Sequence, residues 1–195
     1  FLCRLLNIDQ EHSYDLKQGE DLLLPKYQKE SISRAKHGVI VHLAAISGIA
    51  QCDKDKEYAT RLNETLTLSL AKQAKKAGVK RFVFASSSSV YGEASEYIMD
   101  EEHIANPRCH YGITKLRAEE ILKLADKSFE VIALRQSNVY GYGLYYKGST
   151  VIDAFLNAYF SKTEISINGS GLQNRDFLHI ADLVSFYKRI ITTSK

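Results

Sequence analysis

Between residues 38 and 134 the chain alternates short apolar runs with stretches of helical periodicity, and a chain patterned this way must bury its strands on both faces. Gly38-Val39-Ile40-Val41-His42-Leu43-Ala44-Ala45 reads as a buried strand. Leu66, Leu70, Ala71, Ala74 and Ala77 then recur at helical spacing, and Gly78 stands where a helix ends in left-handed backbone. A second strand follows over 79–85. Leu116, Ile121, Leu122 and Ala125 mark a helix over 111–125, and residues 130–134 form a third strand. Val151, Ile152, Phe155, Ala158 and Tyr159 predict one more helix before a polar, glycine-containing segment over 165–182. Residues 1–35 are ambiguous in type. The fold class is α/β, a doubly wound parallel sheet. With only Pro25 and Pro107, no repeat and no low-complexity run, no flexible linker is predicted.

Composition narrows the partners. The 195 residues carry 26 Lys and Arg against 23 Asp and Glu, a net charge of +3, which is no basic stripe for nucleic acid. Lys72, Lys75, Lys76, Lys80 and Arg81 do cluster, but at the end of a predicted helix, where they complement its dipole. The longest apolar stretch, 38–45, is too short to cross a bilayer, and the first residues lack a secretory signal. The expected setting is the cytoplasm, with no membrane partner. Cys3, Cys52 and Cys109 form no Cys-x-x-Cys pair, and no His-Glu-x-x-His occurs, so neither a disulfide scaffold nor a metal site is expected.

In a parallel sheet ligands bind at the carboxyl edge of the strands. Two segments there are unusually polar. Ser86, Ser87, Ser88 and Ser89 place four hydroxyls at the tip of an apolar strand, which by itself is also what a solvated turn would look like. Tyr111 and Lys115 share one face of the helix that begins there. A phenol ionises near pH 10, and a neighbouring ammonium would lower that value and fit the pair to take a proton from an alcohol.

These two segments are followed by Leu134-Arg135-Gln136-Ser137-Asn138-Val139-Tyr140-Gly141 and then by Asn168-Gly169-Ser170-Gly171-Leu172-Gln173-Asn174-Arg175-Asp176-Phe177. In that order the motifs resemble the extended short-chain dehydrogenase/reductase superfamily, specifically its NAD-dependent nucleotide-sugar epimerases and dehydratases. The resemblance spans roughly residues 38–190. It implies a Rossmann-like NAD-binding domain with the catalytic residues over 1–150, and the start of a smaller substrate lobe over 151–195. It also implies roles. Tyr111 would be the general acid and base, with Lys115 lowering its pKa and bonding the nicotinamide ribose, and Ser87 would hydrogen-bond the reacting sugar hydroxyl. Leu43, Ala44 and Ala45 would line the channel of NAD, in preference to NADP. Asn138 and Arg175 would hold the substrate diphosphate, unless Arg175 is tied up in an ion pair with Asp176 or Asp182. His42 would be a packed strand histidine without a catalytic role.

Similar 4,6-dehydratases carry an Asp-Glu pair after the hydroxyl residue, where this sequence has Ser88 and Ser89. That difference implies NAD-dependent epimerisation of a UDP-hexose type of nucleotide sugar at C4, through a transient 4-keto sugar. The alternatives are a dehydratase or reductase of the same superfamily, or a truncated relative acting as a binding module. The glycine fingerprint of the family is missing, since only Gly19 and Gly38 precede Ala44. Asp15-Leu16 or Asp21-Leu22 would be the acidic-apolar pair beside adenine. Relatives read Asn-x-x-Gly-Thr in one further segment; registered on Arg61-Leu62-Asn63-Glu64-Thr65, Arg61 replaces the Asn and Glu64 the Gly, with Asn63 substituting only after a local shift. The resemblance therefore implies the catalytic middle of a larger enzyme, lacking its first strand and glycine-rich loop, with weak or no NAD binding by these 195 residues alone. It leaves the oligomeric state open; relatives commonly form homodimers through the helices that hold Leu66 and Tyr111.

Overall fold

In the computed structural model the described residues are 8–9, 12–93, 99–124, 129–141, 150–167 and 169–193. They divide into two compact units, one over Asp9–Gln136 and one built on Ser137–Lys195.

Strands Val39–His42 (β1), Arg81–Ser87 (β2) and Glu130–Gln136 (β3) form the sheet of the first unit, all parallel, in the order β1-β2-β3. Phe82, Val83 and Phe84 in the central strand are fully buried, because both faces of that strand are covered and no polar alternation is needed. Helix Pro25–Arg34 (α1) opens on a proline, which costs no hydrogen bond at the first helical position, and buries Gln28 and Ile32. The sequence pattern of this segment alone is ambiguous in type. Between β1 and β2 lie helices Ile49–Lys54 (α2) and Lys56–Thr60 (α3), a π-helical turn Arg61–Thr65, and helix Leu66–Ala77 (α4). Helix His110–Lys123 (α5) precedes β3. Leu66, Leu70, Ala71 and Ala74 of α4, Ala118 and Leu122 of α5, Ile32 of α1, and Phe82 and Phe84 of β2 pack into one core. The helix α4 ends at Gly78, whose φ of 77° is the left-handed backbone expected of a C-terminal glycine.

The expected helices and strands over 66–77, 79–85, 111–125 and 130–134 are all present with shifted ends; Ala125 lies outside the described residues. The apolar run over 38–45 differs more, since pairing stops at His42 opposite Phe84. Beyond that point the Asn63 amide holds the chain, accepting from the Ile46 N–H at 2.9 Å and donating to the Ile46 carbonyl at 3.1 Å. Leu43, Ala44 and Ala45 consequently form a loop at the carboxyl edge of the sheet.

In the second unit, Asn138–Tyr140 (β4) and Phe177–His179 (β5) pair in parallel, and helices Val151–Ser161 (α6) and Ile180–Thr192 (α7) complete it. A reciprocal capping box between Thr150 and Asp153 starts α6. The three-residue strands are too short to show a period of two, so they were not readable from the pattern. Leu183, Val184 and Tyr187 form the buried stripe of α7.

Candidate active site

Helix α5 starts at the carboxyl edge of the sheet. Cys109 has extended backbone at the N-cap, and its Sγ accepts from the Gly112 N–H at 3.4 Å. A Cβ at Gly112 would overlap the Ser89 carbonyl oxygen and lie 2.9 Å from Pro107 Cβ. Glycine after Tyr111 therefore lets the helix start press directly onto the serine loop.

That contact sets the geometry of the expected catalytic residues. The Ser87 side chain, at the end of β2, is near enough to the Tyr111 phenol to act on its ionisation, and Ser87 Oγ accepts from the Ser89 N–H and donates to Ser89 Oγ, each at 3.2 Å. One turn along α5, Lys115 is 2% exposed, and its Nζ lies 5.8 Å from the centre of the Tyr111 ring and 4.7 Å from that of Phe84. Ser87, Tyr111 and Lys115 are thus brought together.

The electrostatics differ from the expectation that Lys115 lowers the phenol pKa. Burial pushes the Tyr111 phenol up from its ordinary value, and the Ser87 side chain pulls it back down. The Lys115 ammonium donates to the Ala85 carbonyl at 2.8 Å, beyond the point where β1 has stopped pairing with β2. Burial lowers its own pKa to about 8, with Cys52 acting in the opposite direction.

Beneath this trio lies a buried polar network that the register on Arg61 and Glu64 missed. The fully buried residue of the π turn is Asn63, which besides holding Ile46 donates to Thr114 Oγ1 at 3.2 Å. Thr114 Oγ1 in turn donates to the Tyr111 carbonyl at 2.9 Å. Thr67 donates to the Asn63 carbonyl at 2.8 Å and pairs with His42 Nε2 at 2.9 Å. The Asn-x-x-x-Thr spacing is therefore kept by Asn63 and Thr67, with Leu66 where relatives have glycine and Arg61 exposed. His42 is packed between these groups and Phe84, and burial, followed by the Lys115 charge, lowers its pKa to about 3. It is a neutral structural histidine.

A second group missed from sequence supports the serine loop. Glu119 on α5, 2% exposed, accepts from Arg135 Nε on both carboxylate oxygens at 3.2 and 3.1 Å, and from Arg135 Nη2 at 2.8 Å. The Ser86 hydroxyl donates to the same carboxylate. Its signal was the spacing of Glu119 one turn after Lys115.

Leu43, Ala44 and Ala45 follow β1 at the same sheet edge, Leu43 46% exposed and both alanines half-buried. In the second unit, Asn138 Nδ2 donates to the Asp176 carbonyl at 2.9 Å, so the β4-β5 pairing places Asn138 beside the segment that carries Arg175. The exposed Arg175 donates to the Asn174 carbonyl at 3.4 Å, and among the described residues it forms no ion pair with Asp176 or Asp182. Among the described residues no group of His, Cys, Asp and Glu could hold a metal ion, and no helix is long and apolar enough to cross a membrane.

Comparison with known proteins identifies the family. The model of the NAD dependent epimerase/dehydratase family matches residues 14–195. A putative UDP-glucose 4-epimerase of Methanocaldococcus jannaschii is 34% identical over 149 residues, covering 74% of this chain and 49% of that protein. A dTDP-D-glucose 4,6-dehydratase of Mus musculus is 29% identical over 193 residues, 98% of this chain and 54% of that protein. Among solved structures, the UDP-glucuronic acid 4-epimerase of Bacillus cereus, in complex with UDP-glucuronic acid and NAD, superposes with a TM-score of 0.77 at 28% identity, over 90% of this chain and 55% of that one. The chain spans about half the length of the curated relatives it matches.

Proposed function

The chain belongs to the NAD dependent epimerase/dehydratase family, and on that premise we propose that it acts in the epimerisation of a UDP-hexose type of nucleotide sugar at C4, with NAD as cofactor. The observation that carries the reading is the convergence of Ser87 and Tyr111 beside a buried Lys115, in a loop where Ser88 and Ser89 supply no acid-base pair for eliminating water.

The donor set fits the cofactor. Lys115 has three N–H donors and, among the described residues, one hydrogen-bond acceptor, the Ala85 carbonyl. The remaining donors suit a ribose diol, and the small side chains of Ala44 and Ala45 let a flat ring approach the backbone. Tyr111, Lys115, Leu43, Ala44 and Ala45 would hold NAD, which when bound accepts a hydride from C4 and returns it. In its ionised form Tyr111 Oη takes the proton of the 4-hydroxyl and later gives it back, Ser87 holds that hydroxyl in line, and Lys115 stabilises the phenolate once its ammonium faces the ring. Asn138 and Arg175 would bind the diphosphate, Arg175 with a permanent charge and a fixed fork of donors.

A second reading, dehydration or reduction of a dTDP-sugar, is favoured by the mouse dehydratase matching nearly the whole chain. One experiment separates the two: a protein that carries this chain together with the family's glycine-rich loop, loaded with NAD, is incubated with UDP-glucose, UDP-N-acetylglucosamine, UDP-glucuronate and dTDP-glucose, and products are followed by proton NMR. A 4-epimer of any UDP-sugar is the expected result. A 4-keto-6-deoxy product from dTDP-glucose would establish the dehydratase, and no change in any sugar, with NAD shown to be bound, would leave a binding module.

A further inference from the structure

Ser86 immediately precedes Ser87 on β2, and its register partner on β3 is Arg135. Both converge on the Glu119 carboxylate, which α5 projects one turn after Lys115 and two turns after Tyr111. The same guanidinium stacks over the Tyr91 ring at 4.8 Å, just past the serine loop, and donates to the Glu101 carbonyl at 3.4 Å. One carboxylate therefore ties together the end of β2, its neighbour strand, the exit of the serine loop and the helix of Tyr111. A buried ion pair adds little net stability because desolvation offsets the attraction, so the effect of this one is geometric.

We propose that Glu119 is a positioning residue: by gripping Ser86 and Arg135 it fixes the backbone from which Ser87 projects, and so holds the Ser87 hydroxyl against the Tyr111 phenol. The proposal rests on the functional reading above only in taking Ser87 and Tyr111 as the reacting pair. An error of about 1 Å in such a pair costs on the order of 100-fold in rate. Besides Ser87, the groups that act on the phenol are Cys52 on α2 and Cys109 at the cap, with Lys115 Nζ on the same helix 5.8 Å from the ring centre, and none of these forms a hydrogen bond to Glu119 among the described residues.

The test reads the influence of Ser87 on the Tyr111 phenol directly. The chain is labelled with tyrosine carrying carbon-13 at Cζ, and the Tyr111 resonance is assigned by its loss in Tyr111→Phe; Ser87→Ala marks its position without the Ser87 hydroxyl. In Ser86→Ala and in Glu119→Gln the resonance is expected to move most of the way to the Ser87→Ala position, with the thermal midpoint of Ser86→Ala unchanged. In turnover, kcat should fall about 10-fold or more while KM stays constant. A resonance that stays at its native position in Ser86→Ala and in folded Glu119→Gln overturns the proposal, and Ser86→Ala decides alone where Glu119→Gln does not fold. The resonance needs neither sugar nor cofactor. A protein that turns over no nucleotide sugar would thus sink the functional reading while the resonance still decides the role of Glu119.

Discussion

Asn63 and Thr114, 51 residues apart, are joined by a buried hydrogen bond of 3.2 Å that couples the π turn to the helix of Tyr111. The same side chain satisfies both backbone groups of Ile46, so it also ends the first strand. Asn63→Leu, similar in volume, should leave the Ile46 N–H and carbonyl and the Thr114 hydroxyl short of partners and cost about 3 kcal/mol or more. Urea denaturation followed by circular dichroism checks this, and a loss below about 1 kcal/mol would show that the network is dispensable.

The buried ammonium of Lys115 makes stability depend on alkaline pH. Its pKa falls from 10.5 to about 8 on folding, so between these values the unfolded chain binds the proton that the folded chain has released. Stability attributable to Lys115 is therefore gained as pH rises from about 8 toward 10.5 and lost again as pH falls through 8. Tyr111 acts oppositely and later, because its raised pKa costs stability only above its ordinary value of 10.0. Denaturation at pH 7 and pH 9.5 should show the native protein gaining relative to Lys115→Met. Parallel pH dependence in the two would remove Lys115 as the source.

At the acid end the same linkage works through His42. Its pKa drops from 6.5 to about 3 in the folded protein, so the unfolded chain takes up the proton first, and stability falls as pH is lowered through that window. His42→Gln keeps a polar partner for Thr67 and cannot ionise. It should flatten the acid limb of the stability curve between pH 6.5 and 4, measured by thermal melts; an unchanged limb would assign the acid sensitivity to other groups.

The sheet and the Ser87, Tyr111 and Lys115 cluster were legible because each rests on a repeating or closely spaced pattern: apolar runs for β1 and β2, the i,i+4 pair for Tyr111 and Lys115. What stayed hidden depends on contacts across long sequence separation. Nothing local marks Asn63 as buried, since a π turn shifts the helical face by a residue, and Arg61 registers equally well in a one-dimensional match. The direction of the Tyr111 pKa was misread for a related reason. Spacing places Lys115 beside the phenol, but only the fold shows the ammonium turned to Ala85 and the ring desolvated.

Tyr111→Phe removes one oxygen from the centre of the site. Because the phenol's transferable proton is what the proposed chemistry needs, turnover of the nucleotide sugar should fall by about 1,000-fold or more. In a protein that also carries the family's glycine-rich loop, NAD binding, followed by fluorescence titration, should persist through Lys115, Ala44 and Ala45. Unchanged turnover would take Tyr111 out of the acid-base role.

Arg175 offers the cleanest separation of binding from folding. Its side chain is exposed and, among the described residues, makes a single long hydrogen bond, to the carbonyl of the residue before it, so nothing in the described fold rests on it. Arg175→Ala should consequently change stability by no more than about 0.5 kcal/mol. If the guanidinium binds the diphosphate as proposed, the same variant should raise KM for the nucleotide sugar about 10-fold or more, and Arg175→Lys, which keeps the charge but loses the fork, should recover only part of it. Equal KM in all three proteins, with stability intact, would move the diphosphate site away from Arg175.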